Sequence, residues 1–314
     1  MRYYAYSEYL KEKYGERVYK LPVNLPITCP NRDGTCSQGG CIFCGDVGAA
    51  FENLPTSMPV KEQIRENMEF IGTKYKAKKF IAYFQNFTNK YMPFEVFKKN
   101  IDDAIADNIV EIAVSTRPDC INDKYMSYLK EVSDKHHVNI SVELGLQTVN
   151  YKTLKKINRG HSLAEFIDAV LCIHKYGFSV CTHLILNLPW DDEEDVAECA
   201  KILSALRVEQ VKLHSLYIVK NTPMEAMYTS GEFDMGTYMD YVNKVILFLE
   251  HLSPNVIIQR LIGRAKEEHT VFANYGTSWW KIKDTIDYEL EARDTYQGRL
   301  CNYLDGFALK KFQL

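Results

Sequence analysis

Four thiols, Cys29, Cys36, Cys41 and Cys44, fall within sixteen consecutive residues, and thiols that close in one loop are ligands for a soft metal. Zinc and an iron–sulfur cluster are the candidates, because magnesium and calcium take oxygen donors. Gly34, Gly39, Gly40 and Gly45 let the backbone wrap tightly around whatever is bound. On the cysteines alone two readings stay open. Four thiolates saturate a structural zinc ion, whereas Cys29, Cys41 and Cys44 alone would hold a [4Fe-4S] cluster and leave one iron open to a further ligand.

The rest of the chemistry-bearing residues sit where apolar runs stop. Gln85 to Thr88 closes one run, Ser115 to Asp119 the next, and Glu143 to Thr148 a third, while His183 to Pro189 and His214 to Lys220 belong to two more. The elements that carry them alternate. Strands are expected near 20–28, 79–86, 109–115, 138–146, 178–188 and 211–219, separated by segments of helical period near 60–75, 94–107, 122–133, 150–157 with 163–176, and 193–206. Repeated βα units imply a parallel sheet, and six are too few to close an eightfold barrel. The fold class is therefore α/β, a partial (β/α)6 TIM-like barrel with its chemistry at the carboxyl ends of the strands. A helix near 236–251, a strand near 255–261 and a helix near 280–298 complete the chain. The expected organisation is an extension over 1–18, the barrel over 19–252 and a packed extension over 253–314.

Composition narrows the class. The 38 Lys and Arg against 41 Asp and Glu give a net charge of -3, which excludes a globally basic nucleic-acid binder and leaves room only for a local basic surface. Nine cysteines behind an amino terminus without a signal-like apolar run imply a reducing cytoplasm, and no run reaches membrane-spanning length. Cys120, Cys172, Cys181, Cys199 and Cys301 read as small buried hydrophobes. The tyrosines from Tyr3 to Tyr19, interleaved with Arg2, Lys11, Lys13, Arg17 and Lys20, read either as an amphipathic helix or as a surface for stacking on bases.

Taken in order, Cys29-Pro30-Asn31-Arg32-Asp33-Gly34, Gly39-Gly40-Cys41-Ile42-Phe43-Cys44, Tyr83-Phe84-Gln85, Thr116-Arg117-Pro118-Asp119-Cys120, Val142 to Gln147, Ile157 to His161, Lys212-Leu213-His214, Thr222-Pro223-Met224 and Ile258 to Leu261 resemble a radical S-adenosylmethionine (SAM) enzyme. The resemblance is to the YtqA/YhcC family, related to the radical SAM domain of the elongator catalytic subunit, and it runs from about residue 18 to 290. It implies that Cys29, Cys41 and Cys44, with eleven and two residues between them, bind the cluster, and that the open iron takes SAM. Cys36 stands where the family pattern tolerates other residues and is read as a spare thiol.

The same resemblance places Gln147 on the SAM ribose and Arg159 on its carboxylate, with Gln85, Thr116 and Glu143 as further cofactor-side candidates. Lys212 and His214 share one strand face by the period of two and form the catalytic rim candidate. Arg117, Asp119, His183, Lys220, Gln259 and Arg260 remain for substrate recognition or proton handling. One departure from the family is Asn187-Leu188-Pro189-Trp190, where Trp190 could pack on a ligand. Relatives in this branch look like RNA-modifying enzymes, so the implied partner is tRNA, with an electron donor such as flavodoxin or ferredoxin. The implied reaction is at carbon 5 of the wobble uridine, where carboxymethylaminomethyl would become aminomethyl. The alternatives are a radical SAM enzyme acting on a small metabolite or peptide, and a zinc-bearing nucleic-acid-binding module.

Overall fold

Segments such as Phe80-Ile81-Ala82 and Ile112-Ala113-Val114 are apolar on consecutive positions, so both faces of the strands they form are buried, as in parallel sheets. In the computed structural model, which describes residues 1–45, 54–263 and 267–312, the chain begins with α1 (Tyr6–Tyr14), β1 (Val18–Val23), α2 (Val60–Tyr75), β2 (Lys79–Phe84), α3 (Phe94–Asp103), β3 (Ile109–Thr116), α4 (Asp123–His136) and β4 (Asn139–Gln147). Next come α5 (Tyr151–Lys156), α6 (Leu163–Lys175), β5 (Ser179–Ile185), α7 (Glu193–Ala205), β6 (Gln210–His214), β7 (Ile218–Val219), α8 (Pro223–Thr229) and α9 (Tyr238–His251). Then β8 (Ile257–Arg260), β9 (Thr270–Phe272) and α10 (Trp279–Ala292) follow. The main sheet has the strand order β1-β2-β3-β4-β5-β6-β8, and β7 pairs with β9 in a separate ribbon. The fold class is α/β, as expected.

The chain divides into two compact units. One comprises Ser7–Leu146 and Asn158–Cys181. In it β1, β2 and β3 pair in parallel with their sequence neighbours, Leu21 beside Ala82, Ala82 beside Ile112 and Ile112 beside Ile140. Leu21, Ile81, Phe84, Ile112, Val142, Leu144 and Phe166 form its core. The other comprises Met1–Tyr6, Gln147–Ile157 and Thr182–Leu314. There β6 and β8 pair in parallel, with Lys212 beside Arg260 after a register shift, and the core gathers Leu213, Tyr241, Phe248, Leu249, Ile282 and Leu290.

Several boundaries differ from the sequence expectation for local reasons. β1 stops at Val23, not near 28, because the Gln63 side chain binds both backbone groups of Asn24, at 2.8 Å each. The expected strand over 211–219 breaks in two because the Asn187 carboxamide accepts the Leu216 N–H at 2.7 Å and Ile218 turns to pair with Phe272. The last long helix ends at Ala292, not 298, where Asp294 takes φ 47°. At the amino end Tyr6–Tyr14 is a helix, and the Tyr14 hydroxyl donates to Glu111 at 2.8 Å. Among the described residues no helix is long and apolar enough to cross a membrane.

Candidate active site

The cysteine loop leaves β1 and is shaped by its own backbone. Arg32 N–H donates to Cys29 O at 2.8 Å, Cys36 N–H to Pro30 O at 2.9 Å, and Cys44 N–H to Cys41 O at 2.9 Å. The last of these is the tight turn that the two-residue spacing requires, and it brings Cys41 and Cys44 to one side. Gly39 and Gly40 take φ 77° and 81°, conformations that side chains resist. Arg32 donates to the carbonyls of Cys44 and Gly45, closing the loop's far end. Cys41 is buried, Cys29 and Cys44 are half-buried, and Cys36 is exposed.

A second segment of the same unit holds this loop from outside. Asn158, in the left-handed region at φ 52°, donates to Gln38 O at 2.9 Å and Gly40 O at 2.8 Å and accepts from Ser37 Oγ at 2.7 Å. Its carbonyl in turn accepts from Asn31 Nδ2 at 2.5 Å. That nitrogen also lies 3.6 Å from Cys41 Sγ, and Arg159 Nη1 lies 3.5 Å from the same sulfur. Two N–H donors on one sulfur would draw charge off any metal it binds. A Cβ added at Gly160 would stand 2.0 Å from Asn31 Oδ1, so glycine is required for this approach.

Arg159 is itself positioned. Its Nη2 donates to Gly145 O at 2.6 Å and its Nε to His161 Nε2 at 2.9 Å. Burial and the charges of Arg159 and Arg117 push His161 down to about 3, so a neutral ring accepts from Arg159 while Nδ1 faces Ser162 O at 3.2 Å. These bonds fix the orientation of the Arg159 side chain. Arg117 binds Asp119 through a fork of 2.9 and 2.6 Å and donates to Arg159 O at 2.9 Å. Burial by itself would raise the Asp119 carboxyl, but the Arg117 fork holds it below its ordinary value. Burial pushes the Cys44 thiol up, so a bound cation's charge is what would deprotonate it. Three thiols on a tight loop, with donors aimed at the most buried one, fit a cluster of three protein ligands.

The other cofactor-side candidates are spread out. Gln85 is half-buried just beyond β2 and Thr116 is buried at the end of β3, its hydroxyl without a partner among the described residues. Glu143 is buried mid-strand and accepts from Lys20 Nζ at 2.8 Å, Tyr83 Oη at 2.8 Å and Ser115 Oγ at 3.1 Å. Gln147 ends β4 with φ 79°. Cys181 and Cys199 are buried as expected, while Cys120, Cys172 and Cys301 are only half-buried.

The second unit carries the remaining candidates. Lys212 and His214 lie on β6, Lys212 buried and His214 half-buried. His214 Nε2 is 3.2 Å from His183 Nδ1 on β5, the rings stacked at 5.2 Å, and Arg260 Nη2 lies 2.8 and 2.9 Å from the two His214 nitrogens. Trp190 packs edge-on against Phe233 at 5.5 Å with Lys156 Nζ 4.4 Å over its ring. Sequence reasoning gave no individual role to Asn158, quoted only inside the Ile157 to His161 motif, or to Tyr217, held only inside the run from His214 to Lys220. An asparagine before Arg-Gly is a left-handed turn signal that could have pointed to the first; nothing marked the second.

Comparison with known proteins matches the Radical SAM superfamily over residues 33–203 and the Radical_SAM C-terminal domain over 208–292. YtqA of Bacillus subtilis (strain 168) is 35% identical over 305 residues, 97% of this chain and 94% of its own. YhcC of Escherichia coli (strain K12) is 33% identical over 258 residues, 82% of each chain. The structure of Methanocaldococcus infernus Elp3 with an N-terminal deletion superposes with a TM-score of 0.69 at 17% identity, covering 89% of this chain and 64% of that one, and so shares the partial-barrel fold. The matched family uses a [4Fe-4S] cluster and S-adenosylmethionine. With its cysteine spacing, its fold and these matches, the chain belongs to the radical SAM superfamily and, within it, to the YtqA/YhcC family.

Proposed function

We propose that the protein is a tRNA-modifying radical SAM enzyme of the cytoplasm, acting on the side chain at carbon 5 of the wobble uridine. The cluster and SAM, when bound, supply a 5′-deoxyadenosyl radical that takes a hydrogen atom from the substrate. The chain's own residues do the rest. Cys29, Cys41 and Cys44 hold the cluster, and Asn31 and Arg159 donate to Cys41 and draw negative charge from it. Arg159 is assigned to the SAM carboxylate, where a planar fork suits a planar anion. Gln147 is assigned to the ribose, and Gln85 and Thr116 are further SAM-side candidates. Glu143 stays on the cofactor side through its buried network, and Lys212 and His214 serve proton handling on the substrate side. Single electrons come from a carrier such as flavodoxin or ferredoxin.

The observation that carries the radical SAM half is the pair of N–H donors converging on Cys41 in a loop that offers three cysteines at the family spacing. The tRNA half is supported by a distant relative, the tRNA uridine(34) acetyltransferase of Methanocaldococcus jannaschii, 21% identical over 265 residues, 71% of this chain and 48% of its own. The concrete reaction is conversion of carboxymethylaminomethyluridine to aminomethyluridine: hydrogen abstraction at the carboxymethyl carbon, one-electron oxidation of that carbon radical to the imine by the oxidised electron carrier, and hydrolysis of the C=N bond, so that the two-carbon unit leaves as glyoxylate. Anaerobic reconstitution should load about four irons per chain and, with dithionite and SAM, release 5′-deoxyadenosine. Bulk tRNA from a deletion strain should accumulate the carboxymethylaminomethyl nucleoside at the expense of the aminomethyl one. Unchanged tRNA nucleosides would transfer the reading to a small metabolite or peptide, and a colourless protein that binds zinc would end it.

A further inference from the structure

Within the second unit, cationic and donor groups collect at the carboxyl ends of β5, β6 and β8. Arg260 ends β8 and its Nη2 lies against both nitrogens of His214, which in turn meets His183. Lys212 stands beside Arg260 in the strand register. The Tyr217 hydroxyl is buried and has no hydrogen-bond partner among the described residues. Both it and Arg260 border Gly263: a Cβ placed there would stand 2.0 Å from Tyr217 Oη and 3.6 Å from Arg260 Nη2. Arg260 pairs with no carboxylate among the described residues.

A hydroxyl left without a partner in a buried place costs free energy unless something outside the chain meets it. A guanidinium lodged on an imidazole, with no carboxylate partner among the described residues, is likewise held ready for an anion. The donors here are an arginine and a tyrosine hydroxyl, with a lysine and a pair of stacked imidazoles beside them. Such a set recognises oxygen atoms carrying negative charge, and a guanidinium takes a planar one with two bonds. The missing side chain at Gly263 is what lets the Tyr217 hydroxyl approach the backbone beside Arg260.

We propose that Arg260 and Tyr217, backed by His214, form a receptor for the carboxylate of the substrate. They distinguish a carboxymethylamino group from its neutral analogues. The identity of the anion rests on the wobble-uridine reading; the existence of the receptor rests on the geometry of Arg260, Tyr217 and Gly263.

The test uses reconstituted full-length holoenzyme and two probes, N-benzylglycine and its neutral amide, by calorimetry. The wild type should bind the acid at least about 10-fold more tightly than the amide, the factor that one charge-assisted hydrogen bond carries. Arg260→Ala should erase the difference, Arg260→Lys should restore part of it, and Tyr217→Phe should reduce it a few-fold, all at unchanged iron content and circular dichroism. Equal binding of the two probes by the wild type, no binding of either, or full discrimination surviving in Arg260→Ala would overturn the receptor. In parallel, tRNA bearing carboxymethylaminomethyluridine is turned over, with Arg260→Ala raising KM more than it lowers kcat. If the wild type discriminates between the probes yet leaves this tRNA untouched, the receptor stands and the tRNA reading falls.

Discussion

Cys36 lies in the same loop as the three assigned ligands, but its thiol is exposed and its surroundings differ from theirs. Burial and the neighbouring Asp119 carboxylate both push it up, whereas Cys41 receives two N–H donors. A thiol facing a carboxylate is a poor metal ligand. Cys36→Ala should therefore retain the full iron content and the visible absorption of the cluster, while Cys29→Ala, Cys41→Ala and Cys44→Ala should each lose them. Equal loss from all four would restore the closed zinc site. Thiols were legible from sequence because few other residue types can do their chemistry. Tyr217 was not, since a tyrosine at the end of an apolar run gives the same signal whether its hydroxyl is satisfied or left over.

The turn from Asn158 to His161 joins the cysteine loop to the carboxyl end of β4, and its shape leaves no freedom at Gly160. That residue has φ 75° and no room for a methyl group beside Asn31. A left-handed non-glycine residue costs about 1–2 kcal/mol before any clash is counted. Gly160→Ala should lower the melting temperature by several degrees and release iron faster to a chelator. An unchanged chelation rate would mean that the turn does not control the loop. Most strands and helices were legible to within a few residues, because apolar runs report burial directly, but α8 and β9 were not anticipated. Asp192 with Asp195 forms the capping box of α7. The ends of β1 and β6 were not legible, since Gln63 and Asn187 stop them from elsewhere in the sequence.

For the molecule as a whole, one buried carboxyl gives stability a measurable pH dependence. Burial raises Asp191 to about 6, from an ordinary 3.8, and its Oδ1 has no partner among the described residues. Between those two values the folded chain holds a proton that the unfolded chain has released, so this group's contribution is present below about pH 4 and is lost as the pH rises through about 6. The loss amounts to at most about 3 kcal/mol. Urea titrations should show wild type falling relative to Asp191→Asn across that interval; parallel profiles would refute the assignment. The partial-barrel class was legible from the count of βα units, whereas the division into two compact units was not, because it depends on contacts between distant segments and on no change in composition.

The clamp that Asn158 places on Ser37, Gln38 and Gly40 consists wholly of protein atoms. Bonds of that kind need no metal to form, so under the proposed cluster assignment metal loading calls for little reordering of the loop.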